Sequence, residues 1–347
     1  MIRTVDVQFV RIRNGAAAGM VYALDGSAPT LRMSDSAEIK TSLQLEAVYD
    51  PAADWLSDRI RPELVIDGVT HPLGVFLPAT VEYSEENGQK SVRIEAYDQC
   101  WIARDFAGTY ITRLLANQTY LHAVGILLND LGITSVLETP STATLTQTRT
   151  DWDRGTSYLK IINQLLDELN YKPLWFNYQG VAILEPVSVP TAANIQHTLD
   201  STEIRSLLMP QITRKTDVFS APNAWVCVCA NPDKSADLVA SSENRNPQSP
   251  LSIQRRGRRI YKFVKLNNTP GQAELQAYAD KLRDQSLFTG ETITVQTGLL
   301  PGFGVSDVTA LHYGDLDAIC IEHAWSMELK TGGTMTHELE RVVVNLG

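Results

Sequence analysis

The sequence RIRPELVIDGVTHPLGVFL, residues 59–77, has the pattern of a β-hairpin. Two apolar runs, residues 64–66 and 73–77, flank the dipeptide Asp67-Gly68. An Asp-Gly pair between apolar runs is typical of a two-residue type I′ turn, because both turn positions need a positive φ that these residues tolerate. We therefore expect two antiparallel strands that meet at this dipeptide.

Similar patterns fill the rest of the N-terminal region. Apolar and polar residues alternate over residues 5–9 before the turn pair Asn14-Gly15, and again over residues 39–49. A further hairpin is indicated around the polar turn at residues 85–88. Short strands at close spacing, separated by turn residues, are typical of a small sandwich or barrel. Residues 1–97 are therefore predicted to form a β-barrel-like domain.

The period of the apolar residues changes after this domain. Apolar side chains recur at helical spacing over residues 120–131, and Gly132 follows at a helix C-cap position. A second helix is expected to open at residues 151–156, and a β-hairpin is expected to turn at Gln179-Gly180. Residues 98–190 are therefore predicted to form an α/β unit of two helices and a hairpin.

Residues 191–347 return to strand-like patterns, with one helix expected over about residues 270–288. Thr269 is a good N-cap for that helix and Pro270 suits its first position. The polar residues 231–252 are expected to form a long loop. The predicted fold class is thus α+β and mostly β. Two small β-barrel-like domains flank the α/β unit, with an additional helix in the C-terminal part.

Composition excludes several classes of protein. The 347 residues are 44% hydrophobic and 20% charged, which is ordinary for a globular protein and excludes a disordered, collagenous or coiled-coil chain. The net charge of −10 disfavours a generic nucleic-acid binder, and four cysteines are too few for a disulfide scaffold. No run of about 18 apolar residues is present, so we expect no transmembrane helix and synthesis in a cytoplasm without classical export.

Few residues are candidates for chemistry. The sequence has no glycine-rich phosphate loop, no nucleophile elbow and no zincin motif, so we expect no catalytic residue, no cofactor and no metal site. Cys227 and Cys229 share one face of a predicted strand, which is compatible with a metal pair. No second pair at zinc-finger spacing exists, and we favour two small buried side chains instead.

The acidic and histidine candidates also have ordinary explanations. Asp151 and Asp153 flank Trp152, and they suit either acid–base chemistry or cation binding, or simply the start of a helix. We favour the helix start. Glu322-His323 and His337-Glu338 lie on strands that we expect to pair, so these side chains are placed to face each other. We do not expect catalytic use of them, because no Ser or Cys nucleophile context accompanies them.

The charge distribution is strongly uneven in one segment. Residues 241–267 hold seven basic side chains and one acidic one, a net charge of +6, which leaves −16 for the rest of the chain. Arg255, Arg256, Arg258 and Arg259 form its centre. Nucleic-acid contact or a merely solvated turn remain alternatives, but we favour an electrostatic docking site for an acidic protein neighbour or subunit.

Several motifs occur in an order that is similar to one protein family. They are Arg59–Pro62, Ile66–Gly68, Pro72–Phe76, Tyr97-Asp98, Trp152–Pro186, Asn223–Val228, Ser249–Ile253, Gly257-Arg258 and Trp325–Leu329. Together they resemble the tail hub, or baseplate hub, proteins of long-tailed phages, tailocins and related contractile injection systems. The resemblance covers nearly the whole chain.

The resemblance implies a structural virion component and not an enzyme. It implies two barrel-like domains per subunit and a homotrimeric ring that joins the tail tube protein to a central spike or tail-tip protein. Other baseplate proteins, with the tape measure as one candidate, would be further partners. It implies no sequence-specific nucleic-acid binding. Two alternatives stay open: a hexameric distal-tail adaptor, and a cell-wall glycan-binding or hydrolase domain that would use the six tryptophans and twelve tyrosines to stack sugars.

Overall fold

The computed structural model describes residues 3–108, 112–188, 190–204, 206–216, 221–229, 237–266, 271–285 and 288–342. The chain is 46% strand and 15% helix. The predicted class, α+β and mostly β, is therefore confirmed.

Eight strands occupy the first 97 residues. They are β1 (Val5–Arg13), β2 (Ala16–Met20), β3 (Thr30–Ser34), β4 (Thr41–Val48), β5 (Arg59–Ile66), β6 (Val69–Pro72), β7 (Leu77–Glu86) and β8 (Gln89–Tyr97). The pairs β1–β2, β5–β6 and β7–β8 are antiparallel hairpins with two-residue turns at Asn14-Gly15, Asp67-Gly68 and Asn87-Gly88. All six turn residues have φ between 50° and 84°, as type I′ turns require. The turn predictions are confirmed.

Three helices and three short strands follow. They are α1 (Cys100–Asp105), α2 (Tyr120–Asp130), β9 (Val136–Glu138), α3 (Tyr158–Glu168), β10 (Trp175–Phe176) and β11 (Ala182–Leu184). Thr119 and Ser157 cap α2 and α3, because each hydroxyl accepts a hydrogen bond from a first-turn amide. Strand β11 lies between β10 and β9. The apolar sides of α2 and α3 belong to one buried cluster that also includes the β11 residues Ala182 and Leu184.

The start of α3 differs from the sequence prediction. The helix begins at Tyr158 and not within residues 151–156. Gly155 interrupts the segment with φ +83°, a left-handed conformation that no helix residue adopts. Asp151 and Asp153 therefore do not occupy the first turn of a helix.

The remaining elements are again mostly strands. After a 3₁₀ turn at Ala192–Asn194 come β12 (His197–Asp200), β13 (Leu208–Thr216), β14 (Ala224–Cys229), β15 (Leu238–Glu243), α4 (Ile253–Arg256), β16 (Tyr261–Leu266), α5 (Gln272–Gln285), β17 (Phe288–Gly298), β18 (Val308–Tyr313), β19 (Leu316–Glu328) and β20 (Thr334–Val342).

The predicted long loop over residues 231–252 is wrong in part, because β15 lies inside it. Leu238 and Ala240 alternate toward the apolar core cluster formed with α5, which gives this polar segment enough apolar contact to form a strand. The helix expected over about residues 270–288 is α5, and the capping residues Thr269 and Pro270 lie outside the described residues.

The chain forms two compact units. The first comprises residues 1–187, 297–305 and 324–336, and the second comprises residues 188–296, 306–323 and 337–347. In the first unit, the C-terminal half of β19 pairs with β3, which pairs with β4, and β8 then separates β4 from β7. In the second unit, the N-terminal half of β19 pairs with β18, and β18 also pairs with β12. The division into three domains at residues 97 and 190 stays a prediction.

The barrel-like character of the two β domains is not confirmed. Across the described ranges, no sheet closes into a barrel. The sheet β2-β1-β5-β6, for example, ends in the two edge strands β2 and β6. Its strands are too few to curl back on themselves, since a closed barrel needs every edge paired. Within the same ranges, no helix combines the length and apolar character needed to cross a bilayer.

Candidate protein–protein interface

The four predicted arginines lie in and just after a single short helical turn, α4. Ser252 caps this turn, and its Oγ accepts a hydrogen bond from the amide of Arg255 at 3.3 Å. Gly257 ends it with φ +65°, a left-handed C-cap that costs glycine little. The Ser-x-x-x-x-Gly pattern of residues 252–257 thus explains why a four-residue helix forms here.

A buried asparagine fixes this turn to the neighbouring sheet. The Asn223 side chain donates to the carbonyl oxygens of Leu251 at 3.1 Å and Arg258 at 3.0 Å. Its Oδ1 accepts from the amide of Ile260 at 2.7 Å. Asn223 is fully buried, so each of these bonds replaces one that the group would otherwise make to water. The segment of residues 251–260 is therefore held rigidly beside the start of β14.

Arg256 and Arg259 each make a hydrogen bond within their own unit. Arg256 Nη1 donates to the carbonyl oxygen of Ala221 at 2.6 Å, and Arg259 Nε donates to Glu243 Oε1 at 2.7 Å. Arg245 also bonds Glu243, and the hydrogen bonds from Arg259 and Arg245 hold the pKa of Glu243 below its usual value. The side chains of Arg255 and Arg258 are exposed.

The three-stranded sheet next to this turn has β14 in its centre, antiparallel to β15 and parallel to β16. Helix α5 covers one of its faces. Cys227 and Cys229 lie on that face, packed with Ala240, Leu275 and Ala279. Burial raises the pKa of both thiols. The two cysteines are therefore small buried side chains of the core, which confirms the interpretation that we favoured over a metal pair.

The opposite face of this sheet is apolar and exposed. Phe263 is 71% exposed, Tyr261 53% and Val239 52%. The rings of Tyr261 and Phe263 contact each other, with centroids 6.1 Å apart. Tyr261 lies in the same cross-strand row as Glu243, the partner of Arg259, so the aromatic pair adjoins the arginine turn.

We name this surface the basic sheet face and define it as Val239, Arg255, Arg258, Tyr261, Phe263 and Lys265. Aromatic residues and arginine are the residue types enriched where proteins bind each other. Sequence reasoning found the arginines but missed Tyr261 and Phe263. The sequence did contain a signal, because β16 carries apolar side chains at both odd and even positions. Helix α5 can cover only one face of the sheet, so the apolar side chains on the other face stay exposed.

The aspartates beside Trp152 have different surroundings. Asp151 accepts two hydrogen bonds from Arg149, at 2.7 and 2.6 Å, and Arg149 also bonds Glu168. Burial alone would raise the pKa of Asp151, and the hydrogen bonds from Arg149 outweigh it, so this pKa is lowered. Asp153 is exposed. The two carboxylates thus have separate environments, and Asp151 serves to neutralise a buried guanidinium.

The prediction that histidine and glutamate side chains face each other across paired strands is confirmed for His337 and Glu322. His337 Nδ1 and Glu322 Oε2 lie 2.9 Å apart, and both side chains are fully buried. Burial raises the pKa of Glu322 although the contact with His337 opposes this. Over the described ranges, no group of three or more His, Cys, Asp or Glu side chains is arranged to hold a metal ion.

Comparisons with protein-family models and with curated protein sequences find no match. Solved structures do match. A tail protein from Neisseria meningitidis MC58 superposes with a TM-score of 0.69 at 12% identity, covering 96% of each chain. The 43 kDa tail protein of prophage MuSo2 from Shewanella oneidensis gives 0.68 at 11% identity, covering 96% of this chain and 98% of the other.

A third match comes from a bacterial secretion machine. The E. coli c3393 protein, a component of the type VI secretion system, gives a TM-score of 0.52 at 9% identity. The match covers 99% of this chain and 75% of that one. Sequence identities this low relate the chains by fold. The chain has the fold of these tail proteins, in agreement with the family that its sequence resembles.

Proposed function

We propose that this chain is a structural hub protein. Three copies form a ring that joins the tail tube to the central spike or tail tip of a phage tail, tailocin or related injection device. The observation that carries the proposal is the match in fold along 96% of this chain to two phage-type tail proteins. In this proposal the chain is made in the host cytoplasm and is a component of the assembled tail.

The partners in this proposal are the chain itself, the tail tube protein and the spike or tip protein, with other baseplate proteins and the tape measure outside the ring. The uneven charge supports self-association. Each copy brings one segment of +6 and a remainder of −16, so two copies attract each other when the segment of one meets the remainder of the other. A ring that is negative overall would also repel DNA and so not bind it during passage.

The alternative of a glycan-binding or hydrolase domain gains no support from the tryptophans. The tryptophans that would stack on sugars are Trp55, Trp152, Trp225 and Trp325, which are buried, and Trp101 and Trp175, which are half-buried. Stacking requires an exposed ring face. Of the two aspartates beside Trp152, Asp151 accepts hydrogen bonds from Arg149, and Asp153 is exposed. We therefore infer a structural role and not a catalytic one.

The mass of the assembled protein tests the proposal. We expect native mass spectrometry of the purified chain, alone and with its tail partners, to give a species of three times the 38.4 kDa chain mass. A species of six chains would instead support the distal-tail adaptor. If the protein is monomeric under all conditions and clears cell walls in a zymogram, the hydrolase alternative would be favoured instead.

A further inference from the structure

We propose that the basic sheet face of one copy binds the acidic tip of the β7–β8 hairpin of a second copy. This inference rests on the proposed ring and identifies the two surfaces that hold neighbouring subunits together. The two surfaces lie at different places on the chain, one in each compact unit. Such a contact is heterologous, the kind that generates a closed ring when the rotation between copies permits it.

The hairpin tip is an exposed two-stranded ribbon. Strand β4 pairs with β8 only as far as the Val48–Ser91 row, whereas β7 and β8 continue to pair up to Glu86 and Gln89. All nine residues from 82 to 90 are exposed. Beyond the Val48–Ser91 row, the hairpin end at residues 85–90 has two strands, with Tyr49 N still donating to the Lys90 carbonyl oxygen at 3.1 Å. A ribbon of two strands is only marginally stable in water. A partner surface that covers the tip would therefore stabilise it.

The tip carries an excess of acidic side chains. Residues 82–90 carry three glutamates, Glu82, Glu85 and Glu86, and one basic residue, Lys90. Tyr83 is 60% exposed, and its ring packs edge-on against Tyr49 with centroids 6.1 Å apart. The tip thus combines carboxylates with an exposed aromatic pair.

The basic sheet face offers the complement. The exposed Arg255 and Arg258 belong to the turn that precedes β16, and β16 carries the exposed aromatic pair Tyr261 and Phe263. The tip combines its glutamates with the aromatic pair Tyr49 and Tyr83. Arg–carboxylate hydrogen bonds around a desolvated aromatic centre are the usual arrangement of a tight interface. A second copy is the occupant we choose, because this chain itself supplies the acidic aromatic tip.

Charge reversal with rescue tests the proposal. We expect R255E/R258E and E85K/E86K each to weaken self-association at least tenfold in sedimentation velocity at low salt. The quadruple variant R255E/R258E/E85K/E86K, which restores opposite charges across the contact, should recover most of the loss. The control E138K/E203K reverses two exposed glutamates outside the tip and should assemble like the wild type.

A disulfide trap gives an independent readout. In Y83C/F263C the two new thiols belong to the two surfaces, so mild oxidation should link chains into covalent oligomers. Y83C or F263C alone should not link chains in this way. The four native cysteines are buried and should not interfere.

The outcomes separate this inference from the proposed ring. If E85K/E86K forms trimers as the wild type does, and oxidised Y83C/F263C gives no covalent oligomers, the inference is wrong and the proposed ring is unaffected. If R255E/R258E still forms trimers but no longer binds another tail protein, the occupant is that protein and the inference is wrong. A wild-type chain that stays monomeric with all partners would overturn both.

Discussion

At the scale of single residues, buried charges organise both units. Arg149 is 3% exposed and donates to Asp151 and Glu168, with Trp152 beneath its guanidinium at 5.0 Å. A buried guanidinium is tolerated only when carboxylates neutralise it. The sequence placed Asp151 beside a tryptophan, but it gave no means of knowing that Glu168, nineteen positions after Arg149, would complete the group.

We expect R149L to lower the free energy of unfolding by about 2–4 kcal/mol, because Glu168 is left partly buried without its counter-charge. Urea denaturation measures the loss. The control is R154L, at an exposed arginine five residues later, which should change stability by less than about 0.5 kcal/mol. Equal midpoints for the two variants would show that Arg149 contributes no more than a surface residue.

A second charged group predicts a pH dependence. Glu291 is buried and accepts from Arg214 at 2.6 Å and from Arg341 at 3.2 Å. Burial alone would raise the pKa of Glu291, but the two arginines lower it below its usual 4.5. A folded pKa below the unfolded value stabilises the fold above pH 4.5, and this stabilisation is lost as the pH falls through the folded pKa.

We therefore expect E291Q to be less stable than the wild type by about 1–2 kcal/mol at pH 7, a figure kept low because Arg214 is partly exposed. The difference in the free energy of unfolding between E291Q and the wild type, measured by urea denaturation, should become smaller at pH values below 4.5. A gap that stays constant with pH would mean that the carboxylate charge of Glu291 does not contribute. E203Q, at an exposed glutamate, should show no gap at any pH.

At the scale of elements, local sequence predicted the hairpin turns, and it predicted the longer helices apart from the start of α3. The dipeptides Asn14-Gly15, Asp67-Gly68 and Asn87-Gly88 specify type I′ turns through their own φ preferences, so no tertiary information is needed. Strand β15 was missed for the opposite reason. Its polar composition is typical of a loop. The strand is stabilised by the packing of Leu238 and Ala240 against α5, which local sequence does not show.

Glycine 74 gives a prediction for the β5–β6 region. Gly74 has φ +118°, and a Cβ there would lie 3.0 Å from the ring of Phe76, which is buried. We expect G74A to destabilise the protein by about 2–4 kcal/mol, from backbone strain together with displacement of Phe76.

The matched control is G68A in the neighbouring turn. Gly68 also has a positive φ, +84°, but no atom lies within 4 Å of a Cβ there. G68A should therefore cost only the strain, about 1 kcal/mol. Thermal denaturation of both variants compares the two costs. If G74A is no worse than G68A, the close packing of Phe76 against Gly74 does not limit the fold.

At the scale of the whole molecule, the pairings between distant parts of the chain were not predictable from one sequence. Strand β19 pairs with β3, almost 300 residues earlier, and β12 pairs in parallel with β18 across more than 100 residues. Apolar alternation shows that a strand has a buried face but does not say which strand lies beside it. The same limit applies to the interface: composition identified the basic segment, and only the strand register placed Tyr261 and Phe263 beside it.

We propose above that three copies of this chain form a ring at the end of a tail tube. Electron microscopy of the purified chain mixed with its tail tube protein tests it most directly. We expect class averages of rings with three-fold symmetry and a central hole, seated on one end of the tube. Rings with six-fold symmetry, or tubes that end without any ring, would contradict it.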